Sequence, residues 1–175
     1  GVAGQILAVA PHEASLAAGA KPEPVDLAEV ARLAISDAIA AAQARRIDVG
    51  LAHADAAVVP GQPEALRMLL RNLVENAVKY TPEEGRVDVA VLQRGDGAVE
   101  LSVDDSGPGL PPAGRERVVD RFHRAAAPQA PGRGLGLAIV RSIADLHGAQ
   151  VALDESPSLG GLRVVVRFPG RLSRA

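Results

Sequence analysis

The chain has no cysteine. That excludes disulfides and thiolate-held metals and leaves a reducing compartment open. No run of 18 apolar residues occurs, so no segment can cross a bilayer as a single helix. Neither sign of charge dominates, with 19 Lys and Arg against 21 Asp and Glu. This balance argues against a nucleic-acid partner and against direct contact with a membrane surface. Aromatic residues make up 2% of the chain, so the core has to be built from Ala, Val, Leu and Ile. No internal repeat is present. The 175 residues suit one domain with a short appendage. The first residue is Gly1 with no charged leader after it, and a piece of a longer protein is expected.

The stretch from Leu66 to Pro82 organises the rest. Leu66, Leu69, Leu70, Leu73, Val74, Ala77 and Val78 recur at helical spacing. Pro63 suits a first turn, and Pro82 forbids continuation. Asn72, Asn76 and Lys79 form a narrow polar stripe bordering the apolar face, whereas Arg67, Arg71 and Glu75 point further round towards water. Asn is a poor helix former. Two of them at i, i+4 beside a buried face fit a charged ligand held partly out of solvent. A surface helix with amides at its edge is the plainer alternative.

Along the chain, residues 1–20 are Ala-rich with helical character around Ile6, Leu7 and Val9, interrupted by Pro11. His12-Glu13 is compatible with a phosphoacceptor motif, but nothing after it continues one. Lys-Pro-Glu-Pro at 21–24 marks a boundary. Asp26 with Glu29 is a capping-box arrangement opening a helix to about Ala44. Strands are predicted at Ile47–Ala52, Ala56–Val59, Val87–Val91, Val99–Asp105, Ala149–Leu153 and Leu162–Phe168, with helices over 63–80, 112–122 and Leu135–His147. Residues 94–97 form a hairpin turn, Gly160-Gly161 closes the last hairpin, 125–133 is a loop, and the tail after Pro169 is loose.

Two glycine clusters bear on chemistry. Asp105 shares its parity with Val99, Leu101 and Val103, so its carboxylate enters the buried side at the strand end. Ser106-Gly107-Pro108-Gly109-Leu110 follows, a turn whose glycines admit a ligand to the backbone. An acceptor-only carboxylate behind such a floor suits the exocyclic amine of adenine and rejects guanine. A plain turn with an Asp cap is the alternative. Gly132-Arg133-Gly134-Leu135-Gly136-Leu137 leads into a helix and offers free N–H groups to phosphates. It is neither a dinucleotide fingerprint nor a P-loop, and a hinge is its other reading.

Asn-x-x-x-Asn-Ala-x-Lys-Tyr-Thr-Pro at 72–82, Asp-Ser-Gly-Pro-Gly-Leu at 105–110, Arg-Phe-His-Arg at 121–124 and Gly-x-Gly-Leu-Gly-Leu at 132–137 occur in one order. Together they resemble the N box, the two glycine boxes and the F box of bacterial sensor histidine kinases, over about residues 24–169. The resemblance implies an α+β fold shared with gyrase B, Hsp90 and MutL: a two-layer sandwich with a mixed sheet of about five strands backed by three helices. It implies ATP and Mg²⁺ as cofactors. Asn76 would ligate the metal, Asn72 and Lys79 would contact phosphates, and Tyr80 would lie near the nucleotide. Asp105 would accept from adenine, with Gly107, Gly109 and Leu110 around the base. Phe122 would fold over the site and Arg124 would reach the terminal phosphate. Gly132, Gly134, Leu135, Gly136 and Leu137 would close on the triphosphate. Asn76, Lys79 and Arg124 are the residues expected to carry the chemistry. Arg121, His123 and Arg133 are left between phosphate contact and surface roles.

The same resemblance divides the chain into 1–23, the remnant of an upstream dimerisation and phosphoacceptor hairpin with its linker, 24–169, the catalytic domain, and 170–175, a tail. The phosphoacceptor His itself is absent. The implied partners are that helical hairpin and a cognate response regulator. The parent is expected to be a homodimer at the inner membrane with this part in the cytoplasm, and the fragment itself to be monomeric. A related-fold ATPase, an anti-sigma-type protein kinase and a non-catalytic nucleotide-binding module are the alternatives. The first would carry Glu where Asn72 stands, to activate water.

Overall fold

A computed structural model of the chain describes residues 21–108 and 133–170, with side chains in the second segment from 136 onward. The elements in order are β1 (Glu23–Asp26), α1 (Leu27–Ala44), β2 (Asp48–Ala54), β3 (Val58–Gly61), α2 (Pro63–Tyr80), β4 (Arg86–Gln93), β5 (Val99–Asp105), α3 (Arg133–Leu146), β6 (Gln150–Glu155) and β7 (Leu162–Phe168). The expected helix over 112–122, all but the last residue of the expected loop over 125–133, residues 1–20 and the tail after 170 lie outside the described residues, and Arg133 itself is helical.

Five strands form one sheet in the order β2-β4-β5-β7-β6, with β2 parallel to β4 and the other pairs antiparallel. The period-2 pattern explains how the sheet closes the core. Val87, Val89 and Val91 of β4, Leu101 and Val103 of β5, and Val164, Val166 and Phe168 of β7 are all buried. The opposite face carries charge: Arg94 and Arg167 both pair with Glu100, and Arg163 with Asp104. The helices pack on the valine face. The fold is therefore α+β, a mixed five-stranded sheet covered by three helices.

Helix α2 is the central helix, and its bounds match those read from the apolar repeat together with Pro63 and Pro82. Each of Leu66, Leu69, Leu70, Leu73, Val74, Ala77 and Val78 is buried. Arg67 does not simply face water: its guanidinium makes two bonds to the Asp37 carboxylate of α1, at 2.8 and 2.7 Å. The periodicity places Arg67 off the core, but the neighbouring helix supplies a partner that a single-helix projection cannot show. Helix α1 starts where Asp26 Oδ1 accepts from the Ala28 amide at 3.0 Å.

One element was not read. Glu23–Asp26, which looks like a linker because Pro22 stands just before it and Pro24 within it, is a strand paired antiparallel with β3, with Pro24 opposite Pro60. Two prolines are tolerated because the ribbon has only two strands, so their missing donors face no further neighbour. Helix α3 also begins earlier than Leu135, at Arg133.

Helices α2 and α3 run in opposite directions. The C-terminal end of α2 and the first turns of α3 meet at one end of the domain, where β5 finishes at Asp105. The N-terminal end of α2 meets the C-terminal end of α3 at the other, where Gln62 N–H donates to His147 Nε2 at 3.1 Å.

Candidate functional site

The last three turns of α2 form one wall. Asn72 and Asn76 are half-buried and Lys79 is exposed. Asn72 Nδ2 donates to the Met68 carbonyl at 2.8 Å. That bond fixes the amide and leaves its oxygen without a partner among the described residues. The Asn76 amide has no hydrogen-bond partner among the described residues. A Cβ at Gly136 would lie 3.5 Å from Asn76 Oδ1, so the start of α3 passes directly over that oxygen. Gly134, Leu135 and Gly136 are thus inside the first turn of a helix and not in a free loop. Their backbone donors belong to the set that α-helices leave unpaired at their N-termini. Leu137 is buried in the core, so only its main chain can face a ligand.

The end of α2 is fixed from outside. The Arg45 guanidinium donates to the carbonyls of Val78 and Lys79. Lys79 Nζ sits 5.6 Å from the centroid of the half-buried Tyr80 ring.

The second wall is the end of β5. Asp105 is 3% exposed. Its Oδ1 accepts from the amides of Gly107 and Leu162, each at 3.0 Å. Its Oδ2 takes no hydrogen bond from any described residue, and it is not sealed from the surface. A Cβ at Gly107 would come within 2.9 Å of the Tyr80 carbonyl, which brings the turn after β5 onto the end of α2. The parity argument thus places Asp105 correctly, and Asn72, Asn76, Lys79, Tyr80, Asp105, Gly107 and Gly136 gather at one end of the domain. Gly109, Leu110, Phe122, Arg124 and Gly132, together with Arg121 and His123, lie outside the described residues.

Three residues here were missed from sequence. Gly161 reads as a hairpin glycine, yet a Cβ on it would fall 2.3 Å from both the carbonyl oxygen and Oδ1 of Asp105. Its amide donates to the Asp105 carbonyl at 3.1 Å. Only the β5–β7 pairing reveals this. Thr81 is fully buried, and its hydroxyl has no hydrogen-bond partner. Asp104, next to Asp105, faces the other way: Arg163 grips it through Nε at 2.9 Å and Nη2 at 3.0 Å, and Ser156 Oγ donates to it at 2.6 Å. That hydrogen-bonded pair pushes the Arg163 guanidinium further above its ordinary value.

A hard divalent cation fits this wall only in one way. Among the described residues no group of three or more His, Asp or Glu could hold a metal. The unpartnered Asn76 oxygen offers a single neutral ligand, and a Mg²⁺ there would complete its shell with phosphate oxygens and waters.

A two-layer fold with an Asp-Ser-Gly turn facing an amide-bearing helix sets a carboxylate acceptor and helix N-terminal donors around one end of the domain, and comparison with known proteins gives the class. Residues 61–172 match the family described as histidine kinase-, DNA gyrase B-, and HSP90-like ATPase, and the chain belongs to it. Within that family it is a catalytic ATP-binding domain of the two-component sensor histidine kinase type. The sensor protein QseC of Salmonella typhi is 38% identical over 145 residues, covering 82% of this chain and 31% of that protein. The mycobacterial sensor histidine kinase MprB superposes with a TM-score of 0.72 at 32% identity, covering 86% of this chain and 98% of that structure. Full-length ShkA in complex with AMPPNP gives a TM-score of 0.75 at 29% identity, covering 94% of this chain and 35% of that one. The chain spans about a third of the length of the curated relatives it matches. No helix among the described residues is long and apolar enough to cross a membrane.

Proposed function

We propose that the chain binds Mg-ATP between α2, the end of β5 and the start of α3. It would present the γ-phosphoryl group to a histidine nitrogen on a separate helical hairpin, for relay to a cognate response regulator. The reading rests first on Asp105. One oxygen is locked by two backbone amides and the other is left as an acceptor in a nearly buried site. An ionised carboxylate so held accepts from the amine of adenine and meets the carbonyl of guanine with repulsion.

Asn76 would hold Mg²⁺, which supplies charge neutralisation between the phosphates. Asn72 and Lys79 would orient phosphate oxygens, and Tyr80 would flank the nucleotide. Gly134, Leu135, Gly136 and Leu137 would offer backbone donors to the triphosphate, together with Gly132. Gly109 and Leu110 would extend the base floor, Phe122 would cover it, and Arg124 would reach the terminal phosphate. The work is positioning and charge placement, since phosphoryl transfer leaves the protein little covalent chemistry. The parent protein would be a membrane-bound homodimer, with residues 1–23 joining its hairpin to the catalytic domain at 24–169 and 170–175 forming a tail.

Calorimetry with ATP, ADP and GTP tests the base assignment. ATP and ADP are expected to bind, and GTP to lose about 2–4 kcal/mol. Asp105→Asn should weaken ATP binding without unfolding the domain, and equal affinity for ATP and GTP removes Asp105 from this role. Transfer is tested with labelled ATP and the separately prepared hairpin, where acid-labile label on the hairpin is expected. Asn76→Ala should abolish that label, and transfer at the unsubstituted rate means that Asn76 does not hold the metal.

A further inference from the structure

Strand β5 ends in two consecutive carboxylates, Asp104 and Asp105, each 3% exposed. Strand alternation puts them on opposite faces of the sheet. Asp105 lies on the side of Leu101 and Val103, at the nucleotide site. Asp104 lies on the side of Glu100 and Ser102, away from the helices and from any ligand held between them. A buried charge needs partners, and Asp104 finds them at both ends of the connection between β6 and β7. From β7, Arg163 donates to it through Nε at 2.9 Å and Nη2 at 3.0 Å. From the residue after β6, the buried Ser156 donates through Oγ at 2.6 Å. Ser156 in turn shapes the connection. Its Oγ accepts from the Leu159 amide at 3.0 Å and its carbonyl from the Gly160 amide at 2.9 Å. Its own amide donates to the Gly161 carbonyl at 2.7 Å. The turn so built delivers the two amides that hold Asp105: Gly161 to its carbonyl at 3.1 Å and Leu162 to Oδ1 at 3.0 Å.

We propose that Asp104 is a positioning residue for nucleotide selection. By holding Ser156 and Arg163 on the outer face of the sheet, it sets the turn whose amides orient the Asp105 carboxylate on the inner face. This role presupposes Asp105 as the acceptor for the adenine amine. It adds that the base-reading carboxylate is aligned from the far side of the sheet, by a side chain that touches no ligand. The consequences of losing Asp104 are unequal. The partly exposed Arg163 guanidinium can turn to water, whereas the buried Ser156 hydroxyl is left without its acceptor. Strand β5 keeps its backbone ladders to β4 and β7. The turn over 156–161 is therefore the part that shifts, and Gly161 and Leu162 shift with it.

The test compares Asp104→Ala and Asp104→Asn in the whole chain. Without nucleotide, the Gly161 and Leu162 amides of Asp104→Ala should exchange their hydrogens about tenfold faster, while the amides of β4 keep their protection. By calorimetry, the preference for ATP over GTP should fall about tenfold in Asp104→Ala. Asp104→Asn keeps an oxygen for Ser156 and should recover most of that preference. Ser156→Ala, a smaller change, should repeat the loss and replaces Asp104→Ala if that variant does not fold. A merely structural role would lower the melting temperature and leave the preference of the folded protein intact, and that result overturns the proposal. Faster exchange spread evenly over β4 and β7 overturns it too, because it makes Asp104 a general stabiliser. Equal binding of ATP and GTP by the unsubstituted chain removes the assignment of Asp105, and the role of Asp104 with it. A preference present in the unsubstituted chain and undiminished in Asp104→Ala removes the role of Asp104 alone.

Discussion

The two oxygens of Asp105 stand in different surroundings, and the difference depends on a glycine far along the chain. Oδ1 is held by the Gly107 and Leu162 amides, and Leu162 can reach it only because Gly161 has no side chain. Gly161→Ala would put a methyl group 2.3 Å from Asp105 Oδ1, so the carboxylate or the strand must move. Loss of ATP affinity by about 2 kcal/mol, roughly 30-fold, is expected by calorimetry. Unchanged affinity with a folded protein would mean that Oδ1 anchoring is dispensable. Thr81 invites the opposite experiment. A buried hydroxyl without a partner costs about 1–3 kcal/mol, and its backbone, at φ −91° and ψ 136°, is extended and suits a β-branched residue. Thr81→Val should therefore raise the melting temperature of the nucleotide-free domain. A fall in that temperature would reveal a partner for the hydroxyl.

At the scale of elements, α2 is placed by contacts at its sides and ends more than by its own propensity. Its buried stripe faces the core, Asp37 of α1 holds Arg67 on its flank, and Arg45 caps its last carbonyls. Truncating Leu69, which is fully buried, to Ala should cost about 2–5 kcal/mol in chemical denaturation. A cost below 1 kcal/mol would mean that the site's supporting wall repacks freely. At the start of α1, Asp26→Ala removes the side-chain cap and should cost about 1 kcal/mol, which the same measurement reads.

Apart from the buried Asp104 and Asp105, the charged side chains among the described residues lie outside the apolar core, and their pairing bears on the response to acid. Several carboxyls sit below the usual carboxylate range. Asp37 does so through its bond from Arg67, Asp55 through the Gln93 amide, Asp96 through the Ala98 amide, and Glu100 through Arg94. A carboxyl whose value is lower when folded stabilises the fold above its unfolded value, about 4. That stabilisation is lost as pH falls through the folded value. Urea denaturation should thus show little change in these contributions between pH 7 and 5 and a progressive loss below about pH 4. A steep loss between pH 7 and 5 would assign acid sensitivity to other groups.

The sequence by itself determined the elements whose physics is local. The apolar repeat between Pro63 and Pro82 gave α2 to the residue, alternation gave β4, β5 and β7, parity put Asp105 inside, and Asp26 announced the start of α1. It also carried the motif order on which membership of the kinase family could be recognised. Other features were decided by tertiary structure because they join residues far apart in the chain. Gly161 lies against Asp105 only through the β5–β7 pairing, and Gly136 lies over Asn76 only because α3 packs antiparallel to α2. Arg67 finds Asp37, and Arg45 finds the end of α2, across the helix layer. Even the strand at Glu23–Asp26 depends on a partner more than thirty residues away. Pro22 before it and Pro24 within it argue locally against a strand, and the hydrogen bonds left to a two-stranded ribbon override them.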